Sequence, residues 1–247
     1  MRRTILFITP LLLFHCGGRH RFIPKLDPED RFIVAKRYMA DGKYVKAQEE
    51  FKRLMFENPG SDYVDDAQYY LAEAYFLNKE YDFAILEYAF LIDNYRGSQY
   101  VEEARLKLAR CYYGLSKPFY LDQTETQKAL DEIELFLAIY PESEHADDAL
   151  AVKKRCLEKL ARKDLEAGKL YTRLRKHKAA RIYFESVAAD YPDTEAAAQA
   201  LLLMGMSYET DGDTTHARET YNRLLATSKD DAIISQAKAR LEKLGSD

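Results

Sequence analysis

The amino-acid sequence predicts an all-helical chain wound as an α-solenoid of about five helix-turn-helix repeats. Three observations carry this. The β-branched, period-two runs that mark strands are missing. All seven prolines fall in the leader, in residues 17–30, or at the ends of apolar periodic stretches, so none interrupts a helix. The third observation is a spacing that recurs along the chain. From Ala47, Ala84, Ala129, Ala180 and Ala217, four residues forward stand Phe51, Tyr88, Ile133, Phe184 and Tyr221, and seven forward stand Leu54, Leu91, Phe136, Val187 and Leu224. Steps of four and seven stay on one helical face.

The elements follow in order. Arg2 and Arg3 precede an apolar run from Ile5 to Phe14, which has the layout of a secretory leader and is too short to span a bilayer. Residues 1–15 therefore read as a signal peptide. Residues 16–30 read as a short tether, reaching at most about 3.5 Å per residue. Leu13, Cys16, Gly17 and Gly18 resemble a bacterial lipoprotein signal, which implies lipidation of Cys16. His15 departs from the small residue usual before that cysteine, and Gly17 after it implies sorting to the outer membrane.

Within the repeats, positions nine before the reference alanines hold Tyr38, Tyr75, Tyr171 and Tyr208, and positions twelve before hold Ala35, Ala72, Gly168 and Gly205. A small residue one turn before an aromatic lets a second helix approach closely. Twelve after the alanines stand Pro59, Arg96, Pro141, Pro192 and Lys229, where each second helix should stop. This order of small, aromatic, Ala, aromatic and Pro positions resembles the tetratricopeptide repeat. The alanine spacings are 37, 45, 51 and 37 residues. In the third repeat Ala109 and Tyr112 fit a first helix, and extra residues around KPFYLDQTET delay the second. The stretch EHADDALAVKKRCLEKLARKDLEAGKLYTRL reads as one long helix. The expected organisation is an N-terminal lobe of repeats 1–3 over 31–143, then a long connecting helix and a C-terminal lobe of repeats 4–5 over 144–247.

Composition excludes several classes. Hydrophobic residues are 47% and charged residues 32%, so the chain can bury a core and is not disordered. Loss of the leader takes the basic count from 37 to 35 against 41 acids, which gives no support to nucleic-acid binding. The four histidines beyond the leader show no metal-type pairing, and there is no phosphate-cradling Gly-rich loop and no Gly-x-Ser-x-Gly turn. Acidic pairs such as Asp65-Asp66, Glu102-Glu103 and Asp147-Asp148 sit where helices begin and complement the helix dipole. No enzymatic activity, metal or cofactor is expected. Cys111 and Cys156 fall inside helical patterns and read as buried free thiols, although spacing alone does not exclude a bond between them.

The lipoprotein-like leader, the five repeats, the Pro118…Asp122-Gln123…Thr126 insertion, LAIYPES at 137–143 and DYPDT at 190–194 together resemble the BamD family of outer-membrane lipoproteins. The resemblance covers about residues 32–225, and the fifth repeat departs from it by ending in Ser228 and Lys229 rather than proline. It implies a lipid-anchored periplasmic scaffold of the β-barrel assembly machinery. The C-terminal repeats would hold a BamA-like barrel subunit through its POTRA domains, and the N-terminal repeats would take the C-terminal signal of unfolded outer-membrane proteins. Lipoproteins linked to Tol-dependent division or acting as pilus-secretin pilots are the competing classes.

In the tetratricopeptide class the first helices line a concave face. Positions three before, one after and four after each small residue are Phe32, Lys36 and Met39, then Tyr69, Glu73 and Phe76, then Leu106, Arg110 and Tyr113. They are the expected walls of a peptide groove. The carboxylate clamp of cytosolic chaperone adaptors is disfavoured, because Phe32 stands where that clamp needs Lys. Charge is uneven. Between Glu57 and Glu103 eleven acids face Lys79 and Arg96, whereas Lys153 to Arg181 holds twelve basic residues against three acids. Lys169, Arg173, Arg175, Lys176 and Arg181 are the expected docking surface for an acidic partner domain or anionic lipid.

Overall fold

A computed structural model describes residues 26–245, so the leader, Cys16 and most of the tether lie outside the described residues. The described residues form eleven helices and no strand: α1 Pro28–Ala40, α2 Tyr44–Glu57, α3 Val64–Leu77, α4 Tyr81–Asn94, α5 Val101–Leu115, α6 Thr124–Ile139, α7 Ala146–Arg173, α8 His177–Asp190, α9 Glu195–Thr210, α10 Thr214–Thr227 and α11 Asp231–Gly245. Each helix packs on its neighbours in sequence, and α7 also reaches α5 and α9. This is a tetratricopeptide-repeat α-solenoid, with repeats α1–α2 through α9–α10.

The repeat spacing has a visible cause in packing. All five reference alanines are fully buried, as are Phe51, Tyr88, Ile133, Phe184 and Tyr221 one turn on. In the last two repeats the aromatic lies against the glycine of the preceding helix. At Gly168 an added Cβ would stand 2.5 Å from Phe184 Cε1, and at Gly205 it would stand 2.3 Å from Tyr221 Cε1. Glycine is therefore needed in the last two repeats, where the ring lies flat on the opposing backbone.

The turn inside four of the repeats is one structure made four times. Five residues before the reference alanine the backbone is left-handed, with φ of 69° at Gly42, 62° at Lys79, 57° at Arg175 and 77° at Gly212. The following N–H then reaches back to the carbonyl of the repeat tyrosine: Lys43 to Tyr38 at 2.8 Å, and Glu80 to Tyr75, Lys176 to Tyr171 and Asp213 to Tyr208 at 2.9 Å. This closure satisfies carbonyls that the helix end would otherwise leave open. It also fixes the angle at which the second helix folds back.

The core runs as three clusters laid end to end. Phe51, Leu71, Tyr88 and Leu91 belong to the first, Ile133, Phe136, Val152 and Cys156 to the middle one, and Phe184, Leu201, Tyr221 and Leu224 to the last. Helix α7 contributes to two of them. Val152, Cys156 and Leu160 face the middle cluster, and Ala161 and Leu165 face the last. The long helix is thus buried along a continuous stripe and is itself the first helix of the fourth repeat.

Helix α11 lies beyond the last repeat that the spacing marks. It packs Ile233 and Ala237 into the last cluster, and Arg240 pairs with Glu209 at 2.7 Å. It thereby covers apolar surface of α9 and α10. Cys111 and Cys156 are free and buried, in the first and middle clusters respectively.

Candidate functional site

The nine residues expected to wall a groove in the first three repeats sort by register. At the first position, Phe32 packs among Phe51, Tyr63 and Tyr70 with centroids 5.4–5.8 Å apart. Tyr69 is 3% exposed and stacks on Tyr100 at 4.2 Å, while Leu106 is 1% exposed. These three side chains point into the contact with the next repeat, and Tyr69 and Leu106 offer no open surface. At the second position, the Lys36 ammonium sits 3.1 Å above the Tyr70 ring. Glu73 is paired with Lys107 at 2.9 Å and accepts a hydrogen bond from the Tyr88 hydroxyl, and Arg110 pairs with Asp148 at 3.0 Å. Met39, Phe76 and Tyr113, at the third position, are half-buried, and Lys107 lies over Phe76 at 5.2 Å.

The five residues expected to dock a partner are also separated by the fold. Arg173, Arg175 and Lys176 are exposed at the turn between α7 and α8. Arg181 is held inside the next repeat contact, bonding Asp211 at 2.7 Å and the Ser207 hydroxyl at 3.1 Å while lying over the Tyr208 ring at 4.4 Å. Lys169 Nζ meets Glu166 at 2.9 Å and Gln199 at 3.2 Å.

What the structure does bring together is a groove of about 760 Å³ along α7, closed on one side by α5 and the α5–α6 connection and on the other by the start of α9. Tyr113 and Lys169, expected at different surfaces, both line it. So do Phe119, Arg155, Lys159 and Arg162, none of which the repeat pattern singles out. The α7 residues lie about one turn apart and so share a helix face. Their neighbour Phe119 comes from the insertion, whose conformation Gln123 sets. The buried Gln123 amide donates toward the carbonyls of Pro118 at 2.8 Å and of Leu121 and Asp122 at 3.2 Å, and its oxygen accepts from the Thr126 hydroxyl at 2.7 Å. The Asp122 carboxyl accepts from Thr124, first its hydroxyl and then its backbone N–H, which lowers its pKa.

Along the groove cations outnumber acids. Arg155 and Lys159 lie 5.3 and 5.4 Å from the Tyr113 centroid, and Arg162 lies 4.4 Å from that of Phe119. Burial pushes the Lys159 pKa down, and its ammonium is satisfied by the Ser116 hydroxyl at 2.7 Å. Arg155 and Arg162 are exposed and Lys159 is half-buried, so cations steadied over ring faces stay open to an anion. Among the described residues no group of His, Cys, Asp and Glu could hold a metal ion, and no helix is long and apolar enough to cross a membrane.

Fold and groove together define a tetratricopeptide-repeat solenoid with an open groove along its longest helix. The model of the family described as YfiO, outer membrane lipoprotein, matches residues 24–224, and the chain belongs to that family. A curated relative, the outer membrane protein assembly factor BamD of Haemophilus influenzae, is 29% identical over 109 residues, or 44% of this chain and 41% of that protein. The match thus spans less than half of the relative's length. Among solved structures, the yeast Sti1 TPR2AB domain in its pHSP90 complex is similar at 12% identity and TM-score 0.48, covering 89% of this chain and 86% of that one. A thermophilic tetratricopeptide protein of Thermus thermophilus is similar at 17% identity and TM-score 0.37, covering 87% of this chain and 99% of that one.

Proposed function

We propose that this protein is a non-enzymatic, lipid-anchored scaffold subunit of the outer-membrane β-barrel assembly machinery, facing the periplasm and held to the membrane through Cys16. The observation that carries the reading is the family match over residues 24–224, which takes in every repeat and the α5–α6 insertion. In this reading the C-terminal repeats hold the barrel subunit through a POTRA domain, with Arg173, Arg175 and Lys176 exposed at the α7–α8 turn to meet acidic groups. The N-terminal repeats take the C-terminal signal of an unfolded outer-membrane protein along the half-buried Met39, Phe76 and Tyr113. One acyl chain anchors a protein only marginally, so stable attachment requires several chains on the cysteine or a second contact, and the barrel subunit supplies such a contact.

The test is mass spectrometry of membrane proteins co-purified with the full-length chain, run beside a Cys16→Ala variant. Recovery of a POTRA-containing barrel protein, with the variant shifted to the soluble fraction, is the expected result. Recovery of Tol or pilus-secretin components without a barrel protein would overturn the assignment.

A further inference from the structure

The cations around α7 fall into two groups. Lys153 pairs with Glu134, and Lys169 with Glu166, each at 2.9 Å. Between them on the helix Lys154, Lys163, Arg155, Lys159 and Arg162 form no ion pair among the described residues, and the last three are set apart by the rings they meet. All three line the groove, and all three are positioned over aromatic rings of the opposite wall. One of them is partly desolvated with only a hydroxyl as partner. A desolvated cation without a carboxylate is costly unless a ligand supplies the charge.

Their spacing selects the ligand. Along the helix axis, 155 to 159 advances about 6 Å and 159 to 162 about 4.5 Å. In an extended peptide, side chains on one face recur every second residue, about 6.6 Å apart. Carboxylates at alternate positions of an extended strand therefore come close to the first step and exceed the second by about 2 Å, a difference within the reach of the long Lys159 and Arg162 side chains, and the ring faces of Tyr113 and Phe119 flank the path. The groove is not uniformly basic. Glu158, Glu166 and Glu195 also line it, and Glu158 accepts a hydrogen bond from the Glu195 backbone N–H at 3.2 Å. Interspersed acids disfavour a dense polyanion and suit a chain that carries N–H donors between its carboxylates.

We propose that the α7 groove binds an extended acidic segment of a partner protein, with carboxylates at alternate positions seated on Arg155, Lys159 and Arg162. The proposal rests on the scaffold reading only for the presence of a protein partner. The groove shares Tyr113 with the surface assigned above to the unfolded-protein signal, and its α7 cations lie beyond that surface.

The experiment uses fluorescence anisotropy with the full-length chain carrying Cys16→Ala, and a labelled peptide alternating Glu with Ser, beside the same peptide with Gln for Glu. The acidic peptide is expected to bind about tenfold or more tightly than its Gln counterpart, and Lys159→Gln/Arg162→Gln is expected to remove that preference. Equal binding of both peptides, no binding of either, or an unchanged preference in the double variant would overturn the proposal. Should the double variant fail to fold, the comparison of the two peptides on the parent chain still decides. Vesicles of phosphatidylglycerol form the remaining arm. Flotation that depends on Lys159 and Arg162, without acidic-peptide binding, would assign the groove to a lipid surface instead. If the peptide fails while the barrel subunit still co-purifies, the groove assignment falls and the scaffold reading stands.

Discussion

Substituting Gly205 by Ala tests how the last repeat closes. In an exposed helix the change would stabilise by about 1 kcal/mol, because alanine is the better helix former. Here the new methyl would stand 2.3, 2.6 and 2.8 Å from Cε1, Cζ and Cδ1 of Tyr221, where carbon atoms prefer about 3.5–4.0 Å. The ring would have to retreat by roughly 1 Å. It is fully buried, and its hydroxyl is tied to Glu209, which also holds Arg240 of α11. Overpacking of this kind costs about 1–3 kcal/mol, so after the helix gain Gly205→Ala should lose up to about 2 kcal/mol. Urea denaturation followed by circular dichroism reads this directly. A double variant with Tyr221→Leu should lose less than the two single changes added together, since the shortened side chain vacates the space that the methyl takes. A stabilised Gly205→Ala protein would refute the close approach as the reason for glycine.

Other outcomes follow from the same packing. Lys79 holds a φ of 62° in a turn whose counterparts use Gly42 and Gly212, so Lys79→Gly should stabilise by about 0.5 kcal/mol in the same denaturation assay. Burial pushes the Cys111 thiol up to about 12 and the Cys156 thiol up to about 11, so neither should react with iodoacetamide in the native protein at neutral pH, and both should react in urea, as peptide mapping will show. Burial raises the Glu132 pKa above 4.5 against the opposing pull of Arg105. A carboxyl with a raised folded-state pKa penalises the fold as pH climbs through that raised value, and imposes nothing below the ordinary one. Glu132→Gln should therefore match the parent near pH 4 and gain on it toward pH 7 in paired urea titrations. A constant difference across that range would refute the assignment.

The repeats were legible because their spacing is a packing requirement. Each small residue, tyrosine and buried aromatic meets the others across one helix pair, so a local register states the contact. Side-chain direction toward the neighbouring repeat was less legible. Phe32, Tyr69 and Leu106 share a register position that counting from the small residue sets on the concave wall, and the superhelical offset between repeats turns them into the next contact. The groove was legible only as an excess of basic residues, since its shape depends on Phe119 and Tyr113 meeting a face of α7 more than thirty residues on. The insertion that carries Phe119 did stand out as a break in period. Helix α11 lacks the small-then-tyrosine signature, so the repeat spacing did not mark it.

The continuity of α7 has a geometric consequence. With 28 residues in one unbroken helix, the four helices after the α7–α8 turn are set in phase with the first three repeats by residue count alone. Each residue added or removed between Leu160 and Leu165 would rotate everything beyond by about 100° and shift it by about 1.5 Å. A loop absorbs an insertion, whereas this helix converts it into torsion. The orientation of the C-terminal surface relative to the N-terminal one is therefore encoded in a length, and a change of one residue there would redirect one end of the scaffold and take Ala161 and Leu165 out of their common register toward the last cluster.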